Sequence, residues 1–298
     1  MQSPRIKVLL DTDIGTDIDD AVCLGYLLQQ QRCELLGITT VTGQAVERAK
    51  LASAICIRAG RDIPIYPGAE NPLIVGQRQK VAQQAECLPR WDHQKQFPPG
   101  EAVEFLRRTI RSHPGEVVLL SIAPLTNLGL LFSVDPEIPR LLRGLVMMCG
   151  RFNARVAGNY GPTEWNASGD PHATAIVYRA SIGMHRSLGL DVTSRVSMDA
   201  NLLRRTFAAS YLFGPVLDFA EVWFRDWKGT TFHDPLAAAT IFDPSLCRFE
   251  KGEVSIDLTP GDTLGKTLWS PDAIAGRHEI GVDVDASRFF HHLVPVCL

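Results

Sequence analysis

Nowhere in this chain do about 18 apolar residues follow one another, the length that a membrane-spanning helix requires. The N-terminus, MQSPRIKVLLDTD, offers only the short apolar stretch IKVLL before acids begin, too little for a signal-peptide core. Paired cysteines are missing too. The 7 cysteines form no CxxC pair, and an odd number in a chain of 298 residues argues against a disulfide framework, so they are expected as small buried hydrophobes. Neither sign of charge dominates: the net charge is -3, with no basic stripe for nucleic acid and no basic amphipathic helix for a membrane surface. Repeats and low-complexity segments are absent as well. These absences predict a cytoplasmic protein whose partner is a small molecule.

What is present is globular composition, 45% hydrophobic and 21% charged, in a chain long enough for a sizeable core. Apolar runs of strand length alternate with stretches of helical period. IKVLL precedes DDAVCLGYLLQQ, ELLGITTV precedes VERAKLASAICIRAG, and EVVLLSIA precedes PLTNLGLLF; IPIY, GLVMMCG and SLGLDV are further strand candidates. This order predicts βαβ units and an open, mostly parallel sheet with helices on both faces, the α/β class. No linker divides the chain, so residues 1–298 are expected to form one domain. Two regions interrupt the alternation: residues 72–100, rich in Gln and Pro, expected as an active-site loop, and residues 201–230, expected as flanking helices with Phe213, Phe219, Trp223 and Trp227.

Ligands of open parallel sheets gather beyond the carboxyl ends of the strands. There this chain is unusually acidic: LLDTDIGTDIDDAV places Asp11, Asp13, Asp17, Asp19 and Asp20 directly after the first strand. Two carboxylates about 4 Å apart repel by roughly 4 kcal/mol at an effective dielectric near 20, so several of them converging need a counter-charge. No Lys or Arg lies between Lys7 and Arg32. A distant basic residue could fold in, but a bound metal is the more economical answer, and all-oxygen ligands favour Ca²⁺ or Mg²⁺. The plainer alternative, that these residues cap the following helix, accounts for one or two of the five.

Two metal-dependent chemistries suit such a cluster. Asp11 and Asp13 have the DxD spacing of a haloacid-dehalogenase-type phosphatase, with an aspartyl nucleophile and Mg²⁺, although Gly15 stands where that family carries Thr or Val and no later GDxxxD completes the metal site. The second likeness covers more of the chain. DTDIGTDIDDA, ITTVTG, APLTNL, EWNASGDPHA and HDPLAAA, in this order, resemble the signature segments of the inosine-uridine-preferring nucleoside hydrolases. The resemblance implies a Rossmann-like core, a tightly held Ca²⁺, hydrolysis of the N-glycosidic bond of ribonucleosides, and assembly into a homo-oligomer. It implies metal ligands at Asp13, Asp20, the Thr126 carbonyl and Asp234. It further implies sugar contacts from Asp19, Asn159, Glu164, Asn166 and Met148, and a proton donor to the departing base at His233. A nucleoside-binding protein without turnover is the third reading, and His233 argues against it, because binding alone needs no acid at the base.

Those roles suit the chemistry. Breaking a ribosyl–base bond develops positive charge on the sugar and negative charge on the base, so catalysis needs an activated water, anionic surroundings for the sugar and an acid at the base. Asp13 is placed to take the water's proton, while Glu164, Asn159 and Asn166 supply the donors and acceptors that hydroxyl recognition demands. Several positions depart from the family pattern. The aspartate loop is two residues longer than the common form, Gln44 replaces an Asn, and Asn159 lies one residue nearer Glu164. Trp165 replaces a Phe and is expected in the core. Residues 72–100 lack a familiar base-binding motif and offer Gln83, Gln84, Arg90, Trp91 and His93 instead. Asp234 followed by Pro235 is expected to cap its helix as well as bind metal.

Overall fold

A computed structural model describes residues 4–153, 156–158 and 160–298. Eleven strands are present among them: β1 Ile6–Thr12, β2 Cys33–Thr40, β3 Ile65–Pro67, β4 Val117–Ser121, β5 Gly144–Met148, β6 His185–Leu188, β7 Ser197–Asp199, β8 Gly229–Thr231, β9 Cys247–Ile256, β10 Thr267–Pro271 and β11 His278–Val284. Nine of these form one sheet in the order β10-β9-β11-β6-β5-β4-β1-β2-β3, and β7 pairs with β8 in a separate ribbon. From β3 to β11 the neighbours run parallel; β9 turns the far edge antiparallel. The α/β expectation of a mostly parallel open sheet therefore holds.

The central strands are apolar on both faces because both are covered. Val8 and Leu10 of β1 join one core with Val118, Leu120, Val146 and Met148, while Leu9 joins the other with Val117, Leu119, Leu145 and Met147. The first core takes the helices Asp19–Gln29 and His233–Phe242, and the second takes Ala102–Ser112, Thr126–Val134 and Pro171–Arg179. Half of the expected strand SLGLDV is instead the short helix Leu190–Thr193. All 7 cysteines are free and buried. No helix among the described residues is long and apolar enough to cross a membrane.

Strand order places the site. The chain runs from β1 out to β2 and β3, then returns to lay β4 on the other side of β1. Connections leave in opposite directions at that point and open a crevice beyond the carboxyl ends of β1 and β4. The aspartate loop follows β1 and Ile122 follows β4.

Candidate active site

A cavity of about 630 Å³ occupies this crevice. Asp13, Asp19, Asp20, Met148, Glu164, Asn166, His233 and Asp234 all line it, so most residues selected from sequence converge on one space. Asn159 lies outside the described residues. Thr126 is placed elsewhere. Its hydroxyl donates to Asp170 at 2.8 Å and it borders a small neighbouring pocket, whereas the β4 side of the main cavity is supplied by Ile122. The ligand expected from the Thr126 backbone oxygen therefore stands at the start of a helix outside the main cavity lining, whereas Ile122, the first residue beyond β4, lines it.

Oxygen atoms of Asp19, Asp20 and Asp234 lie within 4.8 Å of one another, and all three residues are buried. Burial first, and the neighbouring carboxylates second, push all three well above the ordinary carboxylate range; Asp13 is also raised, chiefly by burial. None of the three carboxylates caps a helix. The helix Asp19–Gln29 has Ile18 at its N-cap, and His233–Phe242 starts before Asp234, with no side-chain cap at either. The Asp234 amide donates to Asp19 Oδ2 at 3.2 Å, while its own side chain stays with the cluster. Capping thus explains neither Asp19 and Asp20 nor, as had been expected, Asp234.

A distant cation does fold in. Arg48, 0% exposed, passes behind the aspartate loop and donates to the carbonyls of Gly43, Asp13 and Ile14. Its charge pulls Asp13 and Asp20 back toward ionisation. One guanidinium facing Asp13, Asp19, Asp20 and Asp234 leaves most of the negative charge unmatched, and the donor set is wholly oxygen, so the residues suit a hard divalent cation. The signal for Arg48 was its place on the apolar stripe of its helix, beside Ala45, Ala49 and Ala52.

Asp11 has a different task. Its Oδ1 accepts from Thr39 at 2.6 Å and Asn127 at 2.7 Å, and burial raises the carboxyl to about 7. It lies beneath the loop and does not line the cavity, which removes the aspartyl nucleophile that a dehalogenase-type phosphatase needs. Asp17 faces the cavity, accepts from Ile18 N at 2.6 Å and Thr230 at 3.3 Å, and is raised by burial to about 7.

Across the cavity, Glu164 caps the short helix Trp165–Gly169, accepting from the amides of Gly150, Asn166 and Ala167 at 3.0, 2.7 and 2.8 Å. Asn166 donates to the Met148 carbonyl at 3.0 Å, which fixes its amide beside Glu164. These groups form a rigid polar wall opposite the carboxylates. At the other end His233 joins Thr193 Oγ1 through Nδ1 at 2.7 Å and the Tyr160 hydroxyl through Nε2 at 3.3 Å, and burial lowers it to about 4. Trp223 and Trp227, stacked with centroids 5.1 Å apart, line this end with Tyr160. Their four-residue spacing was visible in sequence; nothing there marked Tyr160 or Thr193.

Within residues 72–100, Arg78 and Gln79 reach the cavity. Trp91 and His93 do not. Trp91 donates to Asp218 at 3.0 Å and lies under Arg58, and His93 Nδ1 bonds to the Trp91 carbonyl. Trp165 is half-exposed rather than core: its indole donates to Gln79 and Arg78 stacks over its ring.

An α/β sheet with a buried carboxylate cluster at its switch point, a wall of fixed polar groups and an aromatic end is the arrangement of an enzyme that takes a small polar ligand. Residues 8–291 match the family model described as inosine-uridine preferring nucleoside hydrolase, and the chain belongs to that family. Among curated relatives it is 30% identical to the probable uridine nucleosidase 1 of Oryza sativa subsp. japonica, over 90% of this chain and 86% of that one. It is 25% identical to the pyrimidine-specific ribonucleoside hydrolase of Escherichia coli O157:H7, over 98% and 96%. Its fold is that of the purine-preferring ribonucleoside hydrolase from Gardnerella vaginalis, with a TM-score of 0.83, 22% identity and 98% of both chains covered. Membership of this family overturns the phosphatase alternative.

Proposed function

We propose that this enzyme hydrolyses the N-glycosidic bond of ribonucleosides, releasing ribose and free base, with Ca²⁺ held in the carboxylate centre. The observation that carries the reading is the convergence of Asp19, Asp20 and Asp234 within 4.8 Å, in the cavity that also holds Glu164, Asn166 and His233. Asp20 and Asp234 of that cluster, with Asp13 beside them in the cavity, would hold the ion, joined by a backbone oxygen from the segment after β4, where Ile122 lines the cavity. When bound, Ca²⁺ supplies positive charge that eases loss of a proton from water and orders vicinal hydroxyls. Asp13 accepts the proton of the attacking water. Asp19, Glu164 and Asn166 bind the ribose hydroxyls, and their negative charge stabilises the cationic sugar as the bond breaks. The Tyr160–His233 pair delivers a proton to the base, which sits at the end of the cavity lined by the stacked Trp223 and Trp227. Seven unpaired cysteines support a reducing compartment, in keeping with a cytoplasmic location.

The test is release of free ribose from uridine and inosine against their 2′-deoxy counterparts. A site that reads the 2′-hydroxyl favours the ribonucleosides in kcat/KM by something on the order of 10³ or more. Equal rates on both sugars would refute the assignment of Asp19, Glu164 and Asn166, and release of phosphate from a monoester without ribose release would refute the reaction.

A further inference from the structure

The segment before the 3-10 helix Gln83–Arg90 is seated on the aspartate loop by several bonds. Gly43 permits the approach: a Cβ there would stand 2.7 Å from the carbonyl oxygens of both Gln79 and Lys80. Gln84 N donates to the Gly15 carbonyl at 3.0 Å, and its side chain donates to the carbonyls of Thr16 and Asp17. Gln44 leaves the cavity altogether, its backbone left-handed at φ 62° and its Oε1 accepting from Ala82 N at 2.9 Å. Gln79 enters in its stead. Its Nε2 donates to Asp13 Oδ2 at 3.1 Å and to Thr16 Oγ1 at 2.7 Å, and its Oε1 accepts from the Trp165 indole at 2.8 Å. Because an indole N–H only donates, Trp165 sets which end of the amide faces Asp13.

We propose that Gln79 is a positioning residue for hydrolysis, holding the Asp13 carboxylate by one oxygen while the other takes the proton of the attacking water, with Trp165 keying its amide. The inference rests on the ribonucleoside reading above. Among the described residues Gln79 is the one side chain that donates to this carboxylate, since Arg48 reaches only the Asp13 backbone. Without Gln79 the tilt of the Asp13 carboxylate is left to the ion alone, and a base that must be aligned within a few tenths of an ångström loses rate rather than affinity.

The experiment compares the parent, Gln79→Ala, Gln79→Glu and Trp165→Phe by kcat and KM on uridine and on p-nitrophenyl riboside, with melting temperature, calcium content and hydrogen exchange of the Trp165 indole N–H. Loss of a hydrogen bond to a charged group predicts a fall in kcat of about ten- to a hundredfold for Gln79→Ala, equal on both substrates, with KM, melting temperature and calcium little changed. Gln79→Glu keeps the shape but turns a donor into a charge facing Asp13, so it falls further. Trp165→Phe falls less than Gln79→Ala, and the indole proton exchanges faster in Gln79→Ala. An active parent with kcat retained in Gln79→Ala or Gln79→Glu overturns the proposal, as does a rise in KM alone, a matching loss of melting temperature and calcium, or an unchanged indole exchange. A parent inactive on every ribonucleoside refutes the underlying reading instead.

Discussion

His233 sits between the hydroxyls of Thr193 and Tyr160, and burial keeps its ring neutral at neutral pH. In the proposed mechanism, proton delivery belongs to the hydrogen-bonded Tyr160–His233 pair. General acid catalysis contributes about 10²- to 10⁴-fold, so His233→Ala should slow uridine by that order with little change in KM. A p-nitrophenyl riboside leaves as a stable nitrophenolate and needs no acid. Initial rates on both substrates decide: the variant should hydrolyse the nitrophenyl compound at nearly the parent rate, and equal slowing of both would mean that His233 only supports Asp234. Much at this scale was legible in sequence, because Asp19, Asp20, Glu164 and Asp234 stand in short motifs beside strand ends or helix starts. Gln79 and Tyr160 stand in none. Their positions follow from loops whose course depends on distant contacts, such as Gly43 admitting the backbone of Gln79.

Among the elements, the parallel strands were legible because they are apolar on both faces, while β9 to β11 were not. Arg248, Glu250, Lys251 and Glu253 give β9 a charged appearance, and several of these charges are spent on ion pairs at the edge of the sheet. Behind that edge β6 and β11 enclose His185 and His278. His185 is buried, stacks on Tyr178 with centroids 5.3 Å apart, and has neither ring nitrogen within hydrogen-bonding distance of a partner among the described residues. Burial, and the nearby His278, hold it well below the ordinary histidine value. The unfolded chain therefore binds the proton more readily, and the stability from a neutral His185 is complete above about pH 6.5 and lost as the pH falls below it. Denaturant titrations should show His185→Phe losing less stability than the parent between pH 7 and 5.5, by about 1 kcal/mol. Parallel pH profiles would place the protonation elsewhere.

At the scale of the whole molecule, the centre joins residues from opposite ends of the chain: the bond from Asp234 N to Asp19 spans 215 positions. An ion held there, as proposed, would stabilise the folded state over the unfolded one, so chelation should lower the melting temperature by on the order of 5 °C, and added Ca²⁺ should restore it. The carboxylates, raised by burial and by one another, reverse the histidine's sign. Protonated, they favour the fold below the unfolded carboxylate value; as pH rises through their folded values the ion-free protein loses that stability, so chelation should weaken it more at pH 8 than at pH 5.5. Melting curves at both pH values, with and without chelator, check this, and an unchanged melting temperature would argue against an integral ion.

The separation of Asp19 from Asp234 also sets an order of events during synthesis. Arg48 leaves the ribosome soon after the aspartates and can settle behind their loop early. The remaining charge waits until Asp234, 186 positions beyond Arg48, has been translated. Until then the nascent chain carries an acidic loop with Arg48 as its counterweight, and the ion proposed above could be seated only once Asp234 has left the ribosome.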